Sequence, residues 1–212
     1  MRKNYLLIFL ILSIFHTNAQ EFYLTSGINL TSYDYTSSNE SHKNLDFTSG
    51  IGNSTEVGYK HRFEGNRFIY SVGMAYNEFN AKASNYATYY SWKTRYIGVL
   101  NKLSYNFSNR AAIYYLGIDI NILFNIGISA SKLADGDQYI NTFYYDLLKH
   151  EDFSGTLIQP FVGFSAQYMA TRTIQLILGY NFSKTFKHPN RTDEKVSFNT
   201  SQFQFGCQVT LF

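Results

Sequence analysis

One segment of this sequence restricts the possible fold more than any other. Between residues 114 and 129, large apolar side chains occupy every even position, and polar or small residues occupy most odd positions, with Leu123 the apolar exception. A period of two predicts a β-strand, because successive side chains of a strand point to opposite faces. A strand needs roughly 9–11 residues to cross a membrane, and this one is longer. The apolar face consists of Tyr114, Leu116, Ile118, Ile120, Ile122, Phe124, Ile126 and Ile128.

Seven further segments repeat the alternation less cleanly, with Asn101 interrupting one apolar face. Eight alternating segments in one chain predict an all-β fold, an eight-stranded antiparallel up-and-down transmembrane β-barrel with its apolar faces outward. The other segments are residues 22–33, 51–63, 68–78, 95–107, 161–168, 174–183 and 202–212.

The predicted connections alternate between short and long. An up-and-down barrel places every second connection at the same end, with short periplasmic turns and longer outer loops. The alternation of short and long connections therefore predicts that both chain ends lie on the periplasmic side. Pro160 is expected at the start of the sixth strand, near the outer rim, since proline cannot donate to a ladder. The short connections are residues 64–66, 108–110 and 170–173, and the long ones are 34–50, 79–94, 130–159 and 184–196.

The first twenty residues are typical of a targeting segment. Arg2 and Lys3 precede an apolar run from Tyr5 to Phe15, and small or polar residues follow at 17–20. This order predicts a signal peptide over residues 1–20, cleaved after Ala19 or Gln20. The run is too short for a membrane-spanning helix, which needs about 20 apolar residues. We therefore expect export to the periplasm and one barrel domain over residues 21–212.

The composition agrees with a membrane barrel and excludes other classes. Aromatic residues make up 18% of the chain, which favours strands and membrane boundaries. A mean hydropathy of -0.23 is compatible with a barrel, because alternate residues line a polar interior. Cys207 is the single cysteine, so a disulfide framework and a cysteine-based zinc site are excluded. The net charge of +3 is spread along the chain, so no nucleic-acid partner is expected.

The chain resembles the PorT-like, small outer-membrane β-barrel family of Bacteroidota. The residues that carry the resemblance are the leader ending in Asn18-Ala19-Gln20, the eight alternating strands, and the terminal Leu211-Phe212. The resemblance implies the barrel fold, a location in the bacterial outer membrane, and a C-terminal aromatic, Phe212, that the barrel-insertion machinery reads. Phe212 is out of phase with the apolar face that ends at Leu211. The resemblance implies no activity.

Five charged residues are predicted to face the barrel interior: Glu56, Lys60, Arg62, Lys102 and Asp119. An eight-stranded barrel is just wide enough to be filled by side chains, and buried charges are costly unless they are paired. We therefore expect a salt-bridged plug here, and the alternative is a gated pore or proton path.

The connection at residues 130–159 is the candidate partner surface, because it is unusually apolar for an exposed loop. The alternative is that its residues pack on each other or on the rim, in a short helix near residues 143–150. Its apolar side chains are Tyr139, Ile140, Phe143, Tyr144, Tyr145, Leu147 and Leu148.

Two polar clusters in the same connection contain residue types that could support catalysis or metal binding. Residues 150–154 contain histidine, acid and serine, but they lie in one loop without a supporting frame. Residues 135–137, Asp-Gly-Asp, lack the spacing of a calcium loop and match a common turn pair. We therefore expect no catalytic residue, no metal and no cofactor.

The leading hypothesis is a non-enzymatic integral outer-membrane barrel with a structural, adhesive or accessory role through its outer loops. Its partners would be membrane lipid, the insertion machinery, and a protein at residues 130–159. One alternative is a narrow passive channel. The other is a soluble, lipocalin-like barrel that binds an apolar ligand, in which the large apolar side chains would face inward.

Overall fold

The computed structural model describes residues 20–36, 46–63, 67–85, 88–108, 120–149, 155–187 and 195–211. The predicted signal peptide before Gln20, residues 114–119 of the strongest alternating segment (including Asp119), and Phe212 lie outside these residues. The strands, in chain order, are β1 (Gln20–Thr36), β2 (Asp46–Arg62), β3 (Phe68–Asn85), β4 (Thr88–Asn106), β5 (Ile120–Ile140), β6 (Phe143–Asp146), β7 (Thr156–Met169), β8 (Ile174–Lys187) and β9 (Lys195–Leu211).

Eight of these strands close into one antiparallel barrel, which confirms the predicted fold class. The neighbours follow the order β1-β2-β3-β4-β5-β7-β8-β9, and β9 pairs with β1 from Leu211 opposite Gln20 to Lys195 opposite Thr36. The short strand β6 pairs only with the last residues of β5, where Phe143 faces Ile140. Because each barrel strand has a partner on both sides, the barrel itself has no open edge.

The two ends of the barrel differ. The end that we call the turn end carries the β2–β3, β4–β5 and β7–β8 connections, together with the start of β1 and the end of β9. The opposite end, the hairpin end, carries the β3–β4 connection and the β5–β6 hairpin. Asn141 stands at the tip of that hairpin with φ of 53°, a left-handed conformation that asparagine tolerates.

The predicted strand boundaries are accurate at the turn end and wrong at the hairpin end. β2 ends at Arg62 and β8 begins at Ile174, each within one residue of the prediction. The predicted loop at 79–94 is instead strand, because β3 runs to Asn85 and β4 starts at Thr88. Most of the predicted loop at 130–159 is also ordered structure, since β5 continues to Ile140 and β7 starts at Thr156. The strands are therefore longer at this end than the alternation indicates.

The physical reason is a change in what surrounds the barrel. Near the hairpin end the outward positions hold polar side chains such as Lys82 and Lys93, which are exposed. The apolar side chains move to the inward face here, so the apolar outward face ends, although the hydrogen-bonded ladder continues from Asn80 opposite Lys93 to Asn85 opposite Thr88. A search for an apolar outward face indicates only the part of a strand that faces lipid.

Along the lipid-facing part of the strands, the large apolar side chains face outward and most of the polar ones face inward. On β5, Ile122, Ile126 and Ile128 are exposed, whereas Asn125 and Ser129 at alternate positions are buried. This orientation contradicts the lipocalin-like alternative, which requires the apolar face to line the interior. No helix among the described residues is long and apolar enough to span a membrane.

Pro160 lies within a strand rather than at its start. It is the fifth residue of β7, it is exposed, and it faces Ile128 of β5. On the β8 side, Ile158 pairs with Phe186 and Phe161 pairs with Ser183. The register of the two strands is therefore the same before and after the proline. The missing N–H is thus accommodated by a local gap in the pairing, without a bulge.

An arginine in the apolar belt should destabilise the barrel in a bilayer. Ile126 of β5 is 54% exposed within the apolar belt, and an Ile126→Arg variant would place a charge against hydrocarbon. We expect its free energy of unfolding in phospholipid vesicles to fall by about 2–4 kcal/mol. The measurement is urea unfolding followed by the fluorescence of the single tryptophan, Trp92. The control, Ser84→Arg, adds the same side chain at an exposed hairpin-end position and should change little. Equal effects of the two substitutions would contradict a lipid-facing belt.

Candidate functional site in the barrel lumen

A single tyrosine organises the lumen near the turn end. Tyr23 of β1 lies across Gly58 of β2 and Gly73 of β3, which face each other in the ladder. A Cβ atom on Gly58 would lie 2.8 Å from the Tyr23 ring, and one on Gly73 would lie 2.9 Å from its hydroxyl. The two glycines therefore provide the flat surface on which the ring rests. The alternation of apolar and polar residues predicts that both glycines face the lumen, but it does not predict their contact with Tyr23.

Two lysines approach the same ring. The Nζ atoms of Lys60 and Lys102 each lie 5.0 Å from the Tyr23 ring centroid, a distance suited to cation–π attraction. Lys60 also donates a hydrogen bond of 2.6 Å to Oε1 of Gln208. Lys102 forms an ion pair of 3.7 Å with Glu56. All three charged side chains are buried.

Glu56 joins these cations to β9, which is separated from β2 by β1 alone. Its Oε1 accepts a hydrogen bond of 2.6 Å from Nε2 of Gln204 on β9. Arg62, also predicted to face inward, pairs at 3.5 Å with Glu21 closer to the turn end. The structure thus places Glu56, Lys60, Arg62 and Lys102 in the lumen. Of these four side chains, Glu56, Lys60 and Lys102 lie close together. The sequence analysis missed Glu21, although it is in phase with the inward-facing Tyr23 and Thr25.

The middle of the lumen contains space and unpaired polar atoms. Two cavities, each of about 20 Å³, share Asn181 and lie on either side of the Glu56–Gln204 hydrogen bond. Each has room for about one water molecule. Buried polar atoms require a partner, and several of them here have none within the protein, so water fits these spaces. The atoms include Tyr23 Oη, Thr25 Oγ1, Ser71 Oγ, Ser129 Oγ, Gln167 Oε1 and Thr200 Oγ1.

The hairpin end of the lumen is filled by apolar side chains, which we call the aromatic plug. Tyr33 stacks on Phe198 with ring centroids 4.5 Å apart, and Phe198 lies 5.4 Å from Phe79. The Tyr33 hydroxyl is 3.1 Å from both the Phe79 carbonyl and Thr94 Oγ1. The plug consists of Tyr33, Phe79, Ala81, Tyr96, Leu157 and Phe198, with Phe47, Trp92 and Leu133 packed against it.

The plug was missed by the sequence analysis because half of its residues, Phe79, Ala81 and Leu157, were assigned to loops. A signal was present on β3, where Phe79, Ala81 and Ala83 continue the inward phase of Ala75 and Asn77. The inward face changes from polar to apolar at this level, while the outward face changes from apolar to polar. A search for apolar residues on one constant face therefore stops at the point where the two faces exchange character.

The candidate partner residues lie on the β5–β6 hairpin. Phe143 is 67% exposed, and Tyr139, Tyr144, Tyr145 and Leu148 are also exposed. Leu147 differs from them, since it is fully buried. The expectation of a helix over residues 143–150 is wrong, because residues 143–146 form a strand and only Leu147–Lys149 form a 3-10 turn.

The acidic residues of this region have protein partners. Arg95 forms ion pairs with Asp135 and with Glu78, the second at 3.5 Å. A hydrogen bond to Asp137 raises the pKa of the Tyr144 hydroxyl. Within the described ranges no group of three or more His, Cys, Asp or Glu residues could hold a metal ion. The polar cluster at residues 150–154 lies outside those ranges.

Comparison with solved structures identifies the fold type. A major outer membrane protein from Thermus thermophilus matches with a TM-score of 0.52 at 11% identity, over 92% of this chain and 100% of that one. Neisserial surface protein A matches with a TM-score of 0.50 at 15% identity, over 89% and 96% of the two chains. The chain has the fold of outer-membrane β-barrels. No protein-family model and no curated protein matches the sequence.

The Tyr23–glycine contact gives a prediction about stability. A Cβ added to Gly73 would meet the Val57 carbonyl oxygen at 2.5 Å as well as Tyr23, so a Gly73→Ala variant must shift backbone or ring. We expect a loss of about 1–3 kcal/mol in the free energy of unfolding. The matched control is Gly179→Ala, since a Cβ there has no neighbour closer than 3.7 Å. Urea unfolding in vesicles measures both, and a loss as large in the control would contradict the proposed contact.

Proposed function

We propose that this protein is a non-enzymatic, non-conducting integral barrel of the bacterial outer membrane, related to the PorT-like barrels of Bacteroidota. In this proposal the barrel is a structural, adhesive or accessory component that acts through its hairpin end. The observation that carries it is the aromatic plug, which fills the lumen at the end where the strands extend furthest. A barrel that is closed there offers its outer surface, rather than a passage, for function.

The exterior supports a location in the membrane. Its apolar belt suits direct contact with lipid hydrocarbon, and the shared fold of outer-membrane barrels agrees with that environment. We place the turn end, which carries the start of β1 and the end of β9, in the periplasm, and the hairpin end, where the strands continue past the apolar belt, outside the cell. Export by the predicted signal peptide and insertion through Phe212 belong to the same proposal.

The lumen chemistry supports a passive rather than a catalytic role. Glu56 and Lys102 are engaged with each other, and Lys60 is engaged with Gln208 and Tyr23. Ser71 lies opposite both lysines in the strand ladders and Ser104 lines their cavity, but His61, the histidine in the described part of the chain, packs on Phe63 and supplies no base to either serine. A narrow channel is the second candidate function, and the unpaired polar atoms on both sides of Glu56 favour it.

Conductance separates the two candidates. The full-length mature protein in a planar lipid bilayer should show no single-channel current. A Phe79→Ala/Phe198→Ala variant should conduct, because it removes two rings from the aromatic plug. The control is Phe203→Ala/Phe205→Ala, which removes the same rings from the exposed outer face of β9 and should remain silent. Steady conductance by the unmodified protein would establish the channel instead.

The hairpin can be tested for a protein partner in intact cells. A photoreactive amino acid at Phe143 should form a discrete cross-linked product, since this side chain is 67% exposed at the hairpin end. The same group at Ala170, exposed in the turn-end connection, is the control and should not form that product. Immunoblotting measures both variants. The absence of any product from position 143, or the same product from position 170, would argue against a partner at the hairpin.

A further inference from the structure

The turn-end cavity collects more positive than negative charge. Lys60 and Lys102 contact the same Tyr23 ring. The backbones of Gly58 and Gly73 occupy the other face of that ring, so both ammonium groups must approach from the lumen side. Two like charges are thus held close together in a narrow, buried space.

The negative charges nearby neutralise only one of the two. Glu56 pairs with Lys102 at 3.7 Å, and Glu21 is engaged with Arg62 at 3.5 Å. Lys60 makes its direct contacts with the neutral amide of Gln208 and the Tyr23 ring, and Glu21 and Glu56 attract it from a longer distance. The described lumen residues Glu21, Glu56, Lys60, Arg62 and Lys102 therefore carry three positive and two negative charges. A buried charge without a counter-charge is costly, so an anion at this place would stabilise the fold.

Two hydroxyl groups mark where such an anion would bind. Tyr23 is 2% exposed and Thr25 is 3% exposed, and neither hydroxyl oxygen has a hydrogen-bond partner in the protein. Both residues line the same cavity as Lys60 and Lys102. Hydroxyls donate readily to an anion. A water molecule could also bond to them, but it would leave the charge of Lys60 unbalanced.

The size of the cavity decides which anion fits. A volume of about 20 Å³ matches a monatomic anion or one water molecule, and both are smaller than phosphate, sulfate or a carboxylate group. We propose that a chloride ion binds in this cavity, between Lys60 and Lys102 and next to the hydroxyls of Tyr23 and Thr25. The ion is a structural anion that neutralises the lumen, and its site is separate from the partner surface at the hairpin.

The test compares stability in chloride with stability in gluconate, an anion too large for the cavity. The full-length mature protein is refolded into vesicles of zwitterionic phospholipid, and its unfolding in urea is followed at constant ionic strength as sodium chloride replaces sodium gluconate. The unfolding midpoint should rise with chloride and then saturate, as mass action requires for a ligand that binds only the folded state. Sodium bromide should act similarly, and sodium sulfate should not. Superimposable curves in chloride and gluconate would overturn the proposal.

Single substitutions test whether the effect of chloride on stability arises at this cavity. Lys60→Met should remove the dependence on chloride, whereas Lys93→Met, which removes an exposed lysine at the hairpin end, should retain it. If Lys60→Met does not fold, Tyr23→Phe serves instead. It keeps the ring and loses one donor, so the half-saturating chloride concentration should rise about 2- to 10-fold. A chloride response that is unchanged in Lys60→Met or in Tyr23→Phe would place the ion elsewhere and overturn the assignment.

Discussion

In the hydrocarbon core of a bilayer no water can satisfy a backbone N–H or C=O group, so a chain that crosses as strands must pair its first strand with its last. The ladder between β1 and β9 meets this requirement along the full length of both strands, from Gln20–Leu211 to Thr36–Lys195. Closure with eight strands also fixes a narrow lumen. The interactions inside the barrel depend on that narrowness, because it brings side chains from strands that do not pair with each other within hydrogen-bonding distance.

Closure of the barrel brings residues that are distant in the sequence into contact in the lumen. Glu56 meets Gln204, and Lys60 meets Gln208, although each pair is separated by 148 positions in the sequence. The Tyr23 ring occupies the space that two facing glycines leave open, and it becomes the surface on which two lysines converge. Towards the hairpin end the same geometry packs aromatic rings instead. One narrow tube therefore contains a charged, hydrated half and an apolar, closed half.

The part of the fold that could be predicted is the part in which the apolar side chains face outward and the polar ones face inward. The alternation of β5, with Ile122 and Ile126 outward and Asn125 inward, indicated the strand, its orientation and the barrel class. It also placed Glu56, Lys60 and Lys102 on inward-facing positions. It could not detect the continuation of β3 beyond residue 79, since the outward side chains there become polar while Phe79 and Ala81 point inward.

The sequence by itself determined that this chain forms eight strands with apolar exteriors. The reason is that an apolar side chain favours an apolar environment whichever residues are its neighbours in the fold. Only the tertiary structure decided which inward residues meet. The register of each strand pair sets Gly58 opposite Gly73 and places Tyr23 over both, and a change of one residue in that register would turn every side chain to the opposite face. The excess positive charge beside Lys60 follows from that arrangement, because which charges are paired depends on distances across the barrel.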